Sequence, residues 1–284
     1  MNLGLLVEAE EGLDWEHWRT TFSAAERLGL ESVWLSDHLR SPWSDRHGIE
    51  TWTALAVAAA ETQRLVLGPL VSPVTFREPA IVARMAESLA ALSHGRFVIG
   101  LGLGWNADEH ARAGIPFPGA ADRGQRLLET VERIRCVPVL IGGSGRRATL
   151  PIVARYADQW NMTTASVADF SRVSHELDAL CAMAGRAPGE ILRSVAAGAL
   201  VGHDSADLHA RAERLRRCVP PLAAAEDVLS AARDMGWVVG TIDEIVDQLR
   251  ALAAAGVGRA ILGHYDFDDM AALELLARIA REVA

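Results

Sequence analysis

An acid and an imidazole stand side by side at Asp37-His38, directly after the apolar run Ser32–Leu35. An imidazole titrates near neutrality, so His38 can hold or deliver one proton, and Asp37 can orient it or touch a cofactor. The plainer alternative is an aspartate closing a turn with His38 packed beside it. A second cluster, Gly100-Leu101-Gly102-Leu103-Gly104-Trp105, resembles a dinucleotide fingerprint, but its third glycine comes one residue early. Glycines there let a flat ligand approach the backbone, with Trp105 as a wall; they also suit a simple strand-to-helix turn. A third cluster is Ile141-Gly142-Gly143-Ser144-Gly145-Arg146-Arg147. It sets amides, a hydroxyl and two guanidinium groups on one short loop, the donor set of a phosphate cradle. A left-handed glycine turn with solvated arginines would have the same composition.

Other chemistries fail on composition. All 28 basic residues are arginine. That removes a lysine Schiff base, a phosphate-loop lysine and a lysine general base. The histidines other than His38 show no i, i+4 pairing with one another and no HExxH, so no metal centre is expected. Ser144 lies in Gly-Gly-Ser-Gly-Arg and not in a nucleophile elbow, which leaves a serine hydrolase without support. Cys136, Cys181 and Cys218 have no metal or redox spacing and are expected as buried free thiols.

These residues need a scaffold that collects them, and the pattern between them supplies one. Apolar runs at Leu3–Val7, Ser32–Leu35, Leu65–Val71, Phe97–Leu101, Val137–Ile141, Gln159–Met162, Ser194–Val201 and Ala260–Leu262 read as strands. Amphipathic stretches lie between them, at Trp15–Leu28, Thr51–Ala60, Pro79–Leu92, Arg123–Ile134, Arg147–Tyr156, Ser166–Ala184 and Ile242–Ala255, with a last helix at Met270–Val283. Alternation of about eight strands with as many helices predicts a single (β/α)8 TIM-like barrel over residues 1–284. A doubly wound open sheet would need a glycine fingerprint after the first strand, where Val7-Glu8-Ala9-Glu10-Glu11 stands instead. In such barrels ligands sit at the C-terminal ends of the strands. Leu65–Glu109 makes one complete strand–helix–strand unit that delivers Ser72 and Pro73 to that edge, then Gly102, Gly104, Trp105 and Glu109.

Net charge is −9 with both signs intermixed, which argues against a nucleic-acid partner. No apolar run reaches the ~20 residues that span a bilayer, so no membrane partner is expected. The first strand starts without a basic leader, from which a cytoplasmic location is expected.

Read together, several spaced motifs resemble the bacterial luciferase-like monooxygenase superfamily, and within it the branch that uses the deazaflavin coenzyme F420. They are Ser36-Asp37-His38-Leu39, the whole of Leu65–Glu109, Gly114-Ile115-Pro116-Phe117, Pro138–Gly145, Ala157-Asp158-Gln159-Trp160-Asn161 and Val239–Glu244. The resemblance implies a cofactor ring at the barrel's C-terminal mouth, with a non-proline cis peptide behind it at Leu70-Val71, next to Ser72. It implies that Asp37 and His38 lie by the reactive ring edge and that Trp105 to Glu109 form the loop after strand four. It further implies that Gly142, Gly143 and Ser144 hold phosphate beside the Thr163 hydroxyl, and that Trp43 walls the substrate pocket. Phe117 is expected in the same apolar pocket.

The activity implied is hydride transfer between C5 of the deazaflavin and a small organic substrate, with His38 as the residue that handles the proton. FMN in place of F420, in a flavin monooxygenase, is the alternative; a barrel that has lost its cofactor is a second. A homodimer is expected by resemblance alone. One departure stands out. Arg123–Arg135 runs almost directly into Cys136-Val137-Pro138, where family members usually carry a long excursion, so a more open site or a larger substrate is expected.

Overall fold

A computed structural model describes residues 1–164 and 166–284. The strands are β1 Asn2–Val7, β2 Ser32–Leu35, β3 Val66–Pro69, β4 Ser72–Pro73, β5 Ile99–Gly102, β6 Val139–Gly142, β7 Gln159–Thr163, β8 Leu192–Gly202, β9 Val238–Thr241 and β10 Arg259–His264. The helices are α1 Trp15–Leu28, α2 Thr51–Glu61, α3 Pro79–Leu92, α4 Ala107–Ala113, α5 Ala120–Arg133, α6 Leu150–Tyr156, α7 Val167–Met183, α8 Ser205–Cys218, α9 Val228–Asp234, α10 Ile242–Ala254 and α11 Met270–Val283. All strand pairs are parallel, in the order β3-β2-β1-β10-β8-β7-β6-β5-β4. A parallel bridge from Leu67 to Phe97 brings β3 beside β5 and nearly closes the ring. This is the expected barrel.

Local chemistry sets the element ends. Asp14 caps α1 by accepting the His17 amide, and Gly29 ends it at φ 82°, a conformation glycine adopts without cost. Pro79 opens α3 at a position that needs no amide donor. Thr241 and Glu244 form a capping box on α10. Strands β1, β2 and β10 are almost wholly buried because helices cover their outer face and side chains fill the interior. Leu6, Trp34, Val98, Leu140, Ala196 and Ile261 make an inner layer from six strands or their edges. Most other buried apolar residues lie between strands and helices in one larger cluster.

Two strand expectations change. The predicted run Leu65–Val71 is split: Val66–Pro69 pairs with β2, Ser72–Pro73 pairs with β5, and the Leu70–Val71 peptide between them is cis. That bond is where the resemblance placed it. Strand β9 has no counterpart among the predicted strands, since its four residues run straight into a helix cap. It pairs with the outer half of β8, Ala199 to Gly202, and carries with α8 and α9 a separate apolar cluster. Among the described residues no helix is long and apolar enough to cross a membrane.

Candidate functional site

The C-terminal ends of the strands surround an open cavity of ≈ 830 Å³. Its lining draws on every side of the barrel: Glu8 and Glu10 after β1, His38 and Trp43 after β2, Leu70 and Val71, Trp105 and Glu109 after β5, Gly142 to Ser144 after β6, and Thr163 of β7. An open mouth is at odds with a barrel that has lost its site by filling it with side chains.

His38 is held by Glu109. The imidazole Nδ1 lies 2.9 Å from Glu109 Oε2, while Glu109 Oε1 accepts the Leu39 amide at 2.6 Å. Asn106 caps α4 by accepting the Glu109 amide, which fixes where that carboxylate points. Trp105 meets the His38 ring edge-on at 5.6 Å and is itself 63% exposed, so it overhangs the mouth. Trp43 is 56% exposed on the same rim. Arg46 ties the Trp43 loop to the end of α8, donating to the Arg217 and Cys218 carbonyls.

Charge is concentrated near His38. Burial alone would lower its pKa, but the Glu109 hydrogen bond and the charges of Glu10, Glu109 and Glu8 raise it to about 9. Burial also raises Glu8 to about 8, helped by Glu10 and Glu11, and raises Glu10. Glu109 is lowered: burial opposes this, but the His38 contact and the Leu39 and Arg40 amides prevail. Of the three carboxylates around His38, Glu109 is the one whose pKa is lowered, so its charge persists through neutrality. The direction of the His38 shift rests on it. Glu8, Glu10 and Glu11 lie close enough together to share a cation, and burial raises the pKa of both Glu8 and Glu10 there.

The floor is Leu70-Val71. A methyl group built on Gly142 would stand 2.9 Å from Val71 Cγ1, and one on Gly102 would stand 2.5 Å from Val71 Cγ2. Both glycines are therefore needed to keep Val71 flat between β5 and β6. Gly143 has φ 117°, its amide donates to the Asn161 carbonyl, and its carbonyl accepts Trp160 Nε1. That loop presents Gly142, Gly143, Ser144 and Gly145 to the cavity.

Three predicted residues are placed elsewhere. Asp37, 3% exposed, turns away from the cavity and accepts from Ser72 Oγ, from Trp52 Nε1 at 3.1 Å and from Arg77 Nη1 at 2.6 Å. Ser72 is buried in the same network. These two lock the loop after β2 to the strand after the cis peptide and so position His38 and Val71. Phe117 also lies behind the wall, packed on His110 at 4.6 Å and beneath Arg123. His110 itself is fixed by Thr75 and the Asn106 carbonyl. The remaining predicted residues, His38, Leu70, Val71, Trp105, Glu109, Gly142, Gly143, Ser144, Thr163 and Trp43, all face the one cavity. Glu8, Glu10, Trp237 and Tyr265 face it too and were not expected. The two acids could have been read from the sequence, because they follow the first strand directly; Trp237 and Tyr265 carried no such signal.

A parallel α/β barrel with a deep cavity at its C-terminal mouth defines a ligand-binding barrel. The sequence model of the luciferase-like monooxygenase family matches residues 2–137 and 133–259, and the chain belongs to that family. The two matched segments meet where α5 runs directly into β6. An F420-dependent glucose-6-phosphate dehydrogenase of Intrasporangium calvum is 41% identical over 116 residues, 39% of this chain and 34% of the relative. Matched segments span between 33% and 58% of the first curated relatives' lengths. Among solved structures, an F420-dependent secondary alcohol dehydrogenase in complex with an F420-acetone adduct superposes with a TM-score of 0.81 at 17% identity, covering 100% of this chain and 99% of that one. The oxygenating constituent of 3,6-diketocamphane monooxygenase from Pseudomonas putida, in complex with FMN, gives 0.75 at 16% identity over 100% and 98%. At such identities the structures share the fold.

Proposed function

We propose that this chain is an F420-dependent oxidoreductase that moves a hydride between C5 of the deazaflavin and a small organic substrate at the barrel mouth. One observation carries the reading: a flat Leu70-Val71 bed, cleared by Gly102 and Gly142, shares one cavity with the His38–Glu109 pair. The names of the curated relatives support the choice of coenzyme. When bound, the deazaflavin supplies a ring carbon that accepts or gives a hydride. Leu70 and Val71 would back that ring, and Gly142, Gly143 and Ser144 with Thr163 would hold its phosphate-bearing chain through amides and hydroxyls. Trp43 and Trp105 would exclude water at the rim.

His38 carries the proton. Glu109 occupies Nδ1, which leaves Nε2 for the substrate oxygen. With a pKa of about 9 the ring is an imidazolium at neutral pH, ready to donate as a carbonyl is reduced. In the opposite direction it takes an alcohol proton only after losing its own, so oxidation gains as pH rises toward that value. Glu10, hydrogen-bonded to Ser36 Oγ, lies close enough to His38 to influence that charge. The short link between α5 and β6 would leave the mouth open on that side.

Titration of the purified protein with reduced F420, followed by ring fluorescence, is the direct test. Saturable binding is expected; none at tens of micromolar coenzyme would sink the reading. The structural neighbour that holds FMN keeps a second reading in view, a flavin monooxygenase. Yellow FMN retained through purification would favour it over F420.

A further inference from the structure

One wall of the cavity is built from groups the coenzyme reading leaves unused. Gly198 of β8 and Gly263 of β10 are register partners on adjacent strands. A methyl group on Gly198 would collide with the Trp237 ring, and one on Gly263 would come within 2.7 Å of the Tyr265 ring. Two facing glycines thus open a slot for two aromatic rings, which stack 4.6 Å apart and 9° from parallel. Tyr265 Oη reaches Glu8 Oε1 at 3.3 Å, so the slot ends in a carboxyl group at the cavity surface.

The charge of the lining is just as selective. Its ionisable side chains are Glu8, Glu10, Glu109 and Asp234 with His38 and His110; no arginine lines it among the described residues, and the chain has no lysine. The His38 imidazolium is already paired with Glu109, so the lining offers no unpaired arginine or lysine to a substrate anion. Glu8, raised to about 8 by burial and by Glu10 and Glu11, is a neutral hydrogen-bonding acid at physiological pH.

We infer that Glu8, Tyr265 and Trp237 form the substrate-selecting wall of this cavity, suited to an uncharged, ring-bearing alcohol or ketone and unsuited to phosphorylated substrates. The inference rests on the F420 reading for the reaction, but not for the binding preference. It separates this chain from its Intrasporangium calvum relative, named for a phosphorylated sugar.

Isothermal titration of the F420-loaded protein with cyclohexanol and glucose-6-phosphate reads the preference. Cyclohexanol should bind at least about tenfold more tightly than glucose-6-phosphate, whose charge finds no free cation in the lining. Trp237→Ala should abolish that preference with F420 binding, read by ring fluorescence, unchanged. Should that variant fail to fold, Tyr265→Phe should weaken cyclohexanol several-fold and Glu8→Gln should preserve it. Equal binding of glucose-6-phosphate, or no cyclohexanol binding, overturns the inference. The same order is expected without coenzyme, so a protein that fails to bind F420 still tests the wall.

Discussion

Replacing one carboxylate oxygen with an amide in Glu109→Gln removes the charge that keeps His38 protonated. The His38 pKa should then fall from about 9 toward its ordinary value, and the high-pH limb of carbonyl reduction should move to lower pH, read from a pH–rate profile. Stability should follow the same groups. His38, with its pKa raised, contributes fully below its unfolded value and loses that contribution as pH rises through about 9. Glu109, with its pKa lowered, contributes above its unfolded value and loses it as pH falls. The melting-temperature deficit of Glu109→Gln should therefore be largest near neutrality and shrink toward both extremes. His38 and Glu109 were each legible in the sequence as residues at strand ends, but their partnership was not, because 71 residues separate them. Asp37 was misplaced for a related reason: adjacent residues leaving a strand point in different directions, and only one of the two reaches the cavity.

At the scale of elements, the site depends on how loops are locked to one another. Asp37 joins the loop after β2 to Ser72, Trp52 and Arg77. Asp37→Ala would remove the buried carboxylate that accepts from Ser72, Trp52 and Arg77 and leave that guanidinium with Glu50, so thermal denaturation should show a loss of about 3 kcal/mol, the scale of breaking a buried ion pair. The cavity floor depends on glycine. Gly142→Ala would push a methyl group against Val71 and lift the bed, so F420 affinity should fall by roughly tenfold while the melting temperature changes little. A coenzyme titration beside a thermal melt separates the two effects. Affinity unchanged in Gly142→Ala would show that the bed does not touch the ring.

At the scale of the whole molecule the barrel was readable because its period is strong: apolar strands and amphipathic helices alternate from end to end. What escaped was the unit hung on the outside, β9 with α8 and α9, since short elements with their own small core carry no barrel rhythm. That core is separate from the main one. Hydrogen exchange should accordingly release the amides of α9 and β9 before those of β1 and β10, as mass spectrometry of exchanged peptides would show. Simultaneous exchange of both sets would instead mean that the two cores melt as one.

Strand β8 serves two masters. Its inner residues, Ser194 to Gly198, pair with β10 inside the barrel, and its outer residues, Ala199 to Gly202, pair with β9 beyond it. The loops after β3 and β6 line the cavity on the barrel side, whereas Trp237 belongs to the outer unit. On the proposed reading, substitutions that reshape α8, α9 or β9 would alter which molecules are accepted and leave the bed for the ring in place.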